Sequence, residues 1–238
     1  GYTGAETGPY FNLRIRHVET HPISINGVVS DHHSYKKIWS NSIFIGSNFN
    51  IVRVGVMIRP HTPRRAPEMS INMLKLFARL AIPNLEFHTF GCSLPTFNKV
   101  FPRSSYANSS IQFIKHHGIL GRYEMMALLR SIHVFADLSI WQALGYTAFE
   151  GMSYGVVPVM KENSGLSRYI VNNTNGLLIA DDNSCNDSCT LMHFANAIRL
   201  LQRNTTLLSD LSKQARFTAS QHNTYNTTRS WMAMLANT

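Results

Sequence analysis

Between residues 51 and 180 the chain alternates between two textures, and this alternation limits the fold more than any other feature. The run IVRVGVMI (51–58) is densely β-branched and apolar, as a strand buried on both faces requires. A Pro/Arg loop follows (59–68), then SINMLKLFARLA (70–81), whose apolar residues recur near a helical period, with Ser70 as the expected N-cap. LEFHTFG (85–91) is expected to be a second strand, 92–110 a basic loop, 111–114 a third strand and 115–121 a glycine-bounded loop. The pattern repeats with a helix at 122–132, strand 134–140, helix 147–155 closed by Gly155, strand 156–160, helix 164–173 and strand 176–180. Strands and helices joined by short connections imply an α/β fold: a Rossmann-like, doubly wound parallel sheet. Three further helical stretches follow at 191–203, 205–222 and 228–237. Residues 1–50 lack sustained periodicity apart from a short strand expected at 22–29, and read as a leader or as the remnant of a preceding segment.

In parallel sheets of this kind ligands bind beyond the carboxyl ends of the strands, so the loops at that edge carry the chemistry. Arg59, Arg64 and Arg65 follow the first strand, where guanidinium forks suit phosphate oxygens; a solvated basic turn is the plain alternative. Gln142, Gly145, Tyr146, Thr147 and Glu150 span the junction of strand 134–140 with the next helix. Gly145 permits close backbone approach, and the amides of Tyr146 and Thr147 would open the helix toward an anion. Glu150, one turn in, could accept hydrogen bonds from ribose hydroxyls, but on spacing alone the favoured role is to complement the helix dipole. Ser164, Gly165 and Leu166 form a third strand-to-helix loop whose amides are expected to face a ligand; an ordinary N-cap and turn is the alternative.

These segments form an ordered series that resembles the donor-binding half of glycosyltransferase family 4, the group 1 transferases of GT-B fold. The series runs from the Gln142…Glu150 spacing through Gly155-Val-Val-Pro-Val159 and Ser164-Gly-Leu to Asn175-Gly-Leu-Leu-Ile179. Upstream, Val54 through Arg65 resembles the strand and basic motif that grips the donor diphosphate, and His117-Gly118-Ile119 the segment around the base. Thr62-Pro-Arg-Arg-Ala-Pro and Leu138-Ser-x-x-Gln-Ala-x-Gly-x-Thr resemble a surface-polysaccharide or rhamnosyltransferase-like subgroup. The resemblance covers roughly 51–220 and departs from the family twice. Gln142 stands where the first Glu of a Glu-x7-Glu pair is usual, and Ser164-Gly-Leu-Ser-Arg168 replaces Gly-Gly-x-x-Glu.

The resemblance implies transfer of a sugar from a nucleotide-diphosphate sugar to a hydroxyl acceptor, with retention, in polysaccharide or glycoconjugate synthesis. It implies catalytic roles for Arg59, Arg65 and Gln142. Donor binding would fall to Arg64, His117, Gly118, Ile119, Gly145, Tyr146, Thr147, Glu150, Ser164, Gly165 and Leu166. The reaction would need no cofactor and no metal, and the chain carries no Asp-x-Asp pair. The expected organisation is a leader or acceptor-domain remnant (1–50), the donor-binding domain (51–220) and a crossover helix (221–238). An N-terminal acceptor-binding half would complete the enzyme, with a carbohydrate or lipid-linked acceptor. The alternative is a non-catalytic nucleotide-binding or interaction module that keeps the half-fold, motivated by Gln142 and the altered glycine loop.

Charge and cysteine content bound the partners. Lys and Arg number 22 against 13 Asp and Glu, a net +9 that favours anionic partners. Without a recognisable module or an aromatic–basic stripe, nucleic acid is not expected among them. The resemblance implies a cytoplasmic location with peripheral contact at an inner membrane face, for which Lys36-Lys37 and the basic stretch 99–103 are candidate contacts with anionic lipid. Three cysteines are too few for a disulfide scaffold in a chain of 238 residues. Cys185 and Cys189 could close a small disulfide or give half a metal site, but exposed loop thiols are the favoured reading. His116-His117 and Asp31-His32-His33 read as polar loop residues.

Overall fold

The computed structural model describes residues 51–102, 114–143, 145–180 and 185–222. The leader, the strand expected at 22–29, most of 111–114 and the helix expected at 228–237 lie outside the described residues.

Six strands form one parallel sheet in the order β3-β2-β1-β4-β5-β6. They are β1 (Val52–Met57), β2 (Leu85–Phe90), β3 (Ile114–His116), β4 (Val134–Asp137), β5 (Val157–Lys161) and β6 (Leu177–Ile179). The chain builds outward from β1 through β2 to β3, then returns to lay β4 on the other side of β1, pairing Val54 with Val134 and Val56 with Ala136. That reversal makes the loops after β1 and β4 the switch point, the place where sheets of this kind receive ligands.

Alternation along the strands divides the core between two faces. On one face Val52, Val54, Val56, Val134, Ala136, Val157 and Val159 pack with residues of α1 (Pro67–Leu80), α2 (Leu94–Val100) and α5 (Asp187–Arg203). On the other, Phe90, Phe135 and Met160 meet α3 (Arg122–Ser131) and α4 (Tyr146–Ser153). Helix α6 (Thr205–Gln221) bridges both, with Leu208 and Leu211 in the first cluster and Ala215 and Ala219 in the second.

Five local expectations change. Helix α1 begins at Pro67, not after Ser70, because proline at the first helical position is preset for the turn and Ala66 takes the left-handed cap conformation. Ser70 is instead buried, its hydroxyl donating to the Ala66 carbonyl at 3.2 Å. The basic loop contains α2, capped by Ser93, and Phe97 stacks on His116 with ring centroids 4.1 Å apart. His116 is correspondingly part of β3 rather than a loop residue, bonded to Thr89 Oγ1 and the Cys92 carbonyl. The helix expected at 164–173 shortens to a 3-10 turn, Gly165–Tyr169. Asn175 ends it by accepting from the Val171 amide at 2.7 Å and donating to the Tyr169 carbonyl at 2.9 Å. Finally, Cys185 and Cys189 are not loop thiols: the first turn of α5 brings their Cα atoms to 5.4 Å and they form a disulfide.

Candidate active site at the carboxyl edge

The loops after the central strands are tied to one another, and the ties decide which side chains face outward. After β1, a 3-10 turn (Pro63–Arg65) leaves Arg59 and Arg64 exposed but folds Arg65 inward, its side chain 17% exposed. The Arg64 carbonyl accepts from the amides of Ile140 (2.9 Å) and Trp141 (3.4 Å), locking the β1 loop to the β4 loop.

A polar relay lies beneath that lock. Arg65 Nη1 donates to Gln142 Oε1 at 2.8 Å, and Gln142 Nε2 donates to Asp137 Oδ2 at 2.6 Å. Asp137 Oδ1 accepts from the Ser139 amide at 3.1 Å. Only one amide orientation fits, because a guanidinium can only donate and a carboxylate can only accept. Gln142 and Asp137 are buried, and the Arg65–Asp137 ion pair is long at 4.0 Å, so the glutamine carries the connection between the charges. Burial lowers the pKa of Arg65, Asp137 opposes this, and Arg64 and Arg59 add to the depression.

Gln142 was expected among catalytic groups; in the structure both ends of its amide are engaged inside the protein, by Arg65 and Asp137. The amides of the Ser164–Leu166 loop, expected to face a ligand, are likewise engaged within the protein. The Ser164 amide donates to the Lys161 carbonyl, the Gly165 amide to the Gln142 carbonyl at 3.0 Å, and the Leu166 amide to Ser164 Oγ. These three amides serve internal acceptors rather than an open edge. Gly165 is required by proximity, since a Cβ there would fall 1.7 Å from the Ala143 carbonyl oxygen.

Gly145, in the left-handed region at φ +82°, caps α4 and turns the chain so that Tyr146 and Thr147 open the helix at the carboxyl end of β4. A Cβ at Gly145 would press on the Gln142 amide at 3.2 Å. Glu150 sits half-buried one turn along; burial raises its pKa and Arg122 opposes the rise.

On the far side of β1, His117, Gly118 and Ile119 follow β3. The Gly118 carbonyl accepts from the Gly91 amide at 2.8 Å, joining this loop to the one after β2. His117 is exposed, and its Nε2 lies 3.0 Å from His88 Nδ1. His88 Nε2 lies 3.3 Å from Glu86, which also pairs with Arg53 and Lys115. The Glu86 carboxylate can only accept, so His88 Nε2–H donates to it and the unprotonated His88 Nδ1 accepts from His117. Burial lowers the His117 pKa, and Lys115 adds to the effect. Ile119, Tyr123, Ile140 and Trp141 are exposed apolar side chains in or next to these loops.

Arg59, Arg64, Arg65, Gln142 and Gly145 therefore converge on the β1–β4 switch point. His117–Ile119 lie to one side of it, Ser164–Leu166 to the other. Asp137, which organises the relay, was not anticipated; its signal is a single acid ending the buried run VFAD. His88 and Arg122 were missed too, being identifiable only by what they neighbour.

A six-stranded parallel sheet in this order, with arginines and a glycine-capped helix at the switch point, defines a Rossmann-like domain of the kind that binds nucleotides. The chain belongs to the group 1 glycosyl transferases: the model of that family matches residues 67–217. No curated protein matches it in sequence. Among solved structures it is similar to Anabaena HepE, crystallised with UDP and glucose, with TM-score 0.60 and 16% identity over 79% of this chain and 49% of that one. It is also similar to the pneumococcal O-GlcNAc transferase GtfA, in complex with UDP and GlcNAc (TM-score 0.64, 14% identity, 81% and 37%). A third match is the C-terminal domain of the Francisella tularensis group 1 protein LpcC (TM-score 0.59, 15% identity, 71% and 85%). The chain thus spans about half the length of HepE and most of a structure that is a C-terminal domain by itself.

Proposed function

We propose that this chain is the donor-binding half of a glycosyltransferase of family 4, in the rhamnosyltransferase-like subgroup, which moves a sugar from a nucleotide-diphosphate donor to a hydroxyl acceptor. The observation that carries the reading is the cluster of Arg59, Arg64 and Arg65 at the β1–β4 switch point, joined to the loop that opens α4. As the glycosidic bond breaks, negative charge grows on the departing diphosphate, and preoriented cations and amides there lower the barrier. In this reading arginines supply that charge in place of a metal or cofactor. Arg59 and Arg64 make the direct contacts, while Arg65, held by Gln142, contributes field and shape. Glu150 receives the ribose, and the His117–Ile119 loop borders the base.

The exposed apolar side chains at this edge face an N-terminal acceptor-binding half, which brings a carbohydrate or lipid-linked hydroxyl. The basic surplus favours a cytoplasmic enzyme lying against an anionic membrane face; no described helix is long and apolar enough to cross one. One observation favours the second reading, a nucleotide-binding module without turnover: the residue where the family's first Glu is usual is a buried, fully engaged amide.

Calorimetry with UDP, GDP and dTDP sugars tests the first step. Binding to one nucleotide class, weakened by Arg64→Ala, supports the donor-half reading; absence of binding to all of them overturns it. Sugar transfer by the chain joined to an acceptor-binding half separates enzyme from module.

A further inference from the structure

Away from the switch point, beyond the carboxyl end of the outermost strand β6, three metal-ligating side chains meet at the start of α5. Cys189 and His193 are four residues apart on one helix, so they share a face. Asn186 caps the helix by accepting from the Cys189 amide at 3.0 Å, which folds Cys185 back onto the same turn. The two sulfurs and a nitrogen of His193 all lie within 4.8 Å of one another, with Cys189 Sγ 3.9 Å from His193 Nε2.

We propose that, when reduced, Cys185, Cys189 and His193 form a binding site for a divalent transition cation, zinc(II) by preference. Bond lengths of about 2.3 Å to sulfur and about 2.0–2.1 Å to imidazole place tetrahedral ligand atoms roughly 3.5–3.8 Å apart, close to the spacing of the sulfur–imidazole pair. Two soft sulfurs and an imidazole select zinc over the harder magnesium or calcium. The nearly buried Thr190 hydroxyl lies 3.6 Å from Cys185 Sγ, within reach to donate to that sulfur and orient it as a ligand. The positive end of the α5 dipole favours negative charge on both sulfurs. Three protein ligands leave the fourth position to water.

The disulfide and the metal exclude each other. A dithiol reductant opens the Cys185–Cys189 bond by exchange: two electrons and two protons pass to the protein sulfurs, and the reductant leaves as its own disulfide. The cation then binds both sulfurs as thiolates, releasing the two protons to solvent, and takes the neutral imidazole as its third ligand.

The test uses the full chain, reduced or oxidised, with zinc chloride, and with cobalt(II) as an optical probe. The reduced chain is expected to hold one zinc per molecule and to melt higher with zinc added. With cobalt it shows thiolate charge-transfer bands, and oxidation to the disulfide removes all three signals. His193→Ala, at an exposed position, weakens zinc binding by at least about tenfold. The Cys185→Ser/Cys189→Ser variant keeps the buried Cys92 thiol and shows no cobalt–thiolate band. Equal zinc binding by the oxidised chain, by the double serine variant or by His193→Ala overturns the proposal, as does the absence of a zinc-dependent melting shift in the reduced chain.

Discussion

Gln142 Nε2 donates to Asp137 Oδ2 at 2.6 Å, a contact that suits an amide at this position better than a carboxylate. A glutamate at 142 would set a second buried negative charge against Asp137, and one carboxyl would have to hold a proton. The amide avoids that conflict and still accepts from Arg65.

Gln142→Glu is therefore expected to destabilise the chain by about 1–3 kcal/mol, read as a lower urea midpoint. Asp137→Asn combined with Gln142→Glu restores a donor–acceptor pair, and Arg65 then meets the introduced carboxylate. The double variant should recover at least about 1 kcal/mol relative to the sum of the singles. Additive effects would show that the relay does not couple the two positions.

Gly165→Ala should cost at least about 4 kcal/mol, because its Cβ would overlap the Ala143 carbonyl and nothing flexible can yield. Gly118→Ala is the control. It is also in an edge loop and has positive φ, but its Cβ meets open space, so its cost stays near the left-handed backbone penalty of about 1–2 kcal/mol. Thermal melts of the two variants should rank in that order.

Arg59→Ala and Arg64→Ala should each weaken nucleoside-diphosphate binding by about tenfold or more, the worth of one charge-assisted contact. Both side chains are exposed, so melting temperatures should hardly change. Arg65→Ala should lower affinity and stability together, since it also leaves Gln142 and Asp137 without their cation. Calorimetry paired with melting curves separates the two patterns; equal behaviour of all three variants would contradict it.

His133 gives the chain a pH dependence. Burial pushes its pKa down to about 4, with Arg53 and then His88 adding to the effect, and its Nδ1 accepts from the Arg53 amide at 2.9 Å. The unfolded chain binds the proton more readily, so stability is full above the ordinary histidine value of about 6.5. It is lost as the pH falls toward about 4, by roughly 3 kcal/mol. His133→Asn keeps an acceptor for the Arg53 amide without a titrating group, and should flatten urea midpoints measured across that pH window. An unchanged slope would assign the effect to other groups.

Much of the fold was legible in the sequence because burial on two faces leaves an unmistakable β-branched texture, as in 51–58 and 156–160. Helix α2 was not legible, although Ser93, Pro95 and the Phe97/Phe101 spacing carry its signal, because seven residues are too few to establish a period. Nor was the shortening of 164–173, since it depends on Asn175, a side chain that acts from beyond the segment. Nor was the nearness of His193 to the Cys185–Cys189 pair, because it depends on the chain before Cys189 folding back onto the first turn of α5.

By itself the sequence determined the doubly wound α/β class and the loops at which the chemistry would lie. Periodicity and strand–loop–helix order are local properties, written residue by residue. The tertiary structure alone decided which way each loop residue turns and what it bonds to. Arg64 and Arg65 are adjacent, yet one is exposed and the other is turned inward toward Gln142, 77 residues away. The amides of Ser164–Leu166 face internal acceptors for a related reason: buried donors must find partners, and those of Gly165 and Arg65 belong to another strand's loop.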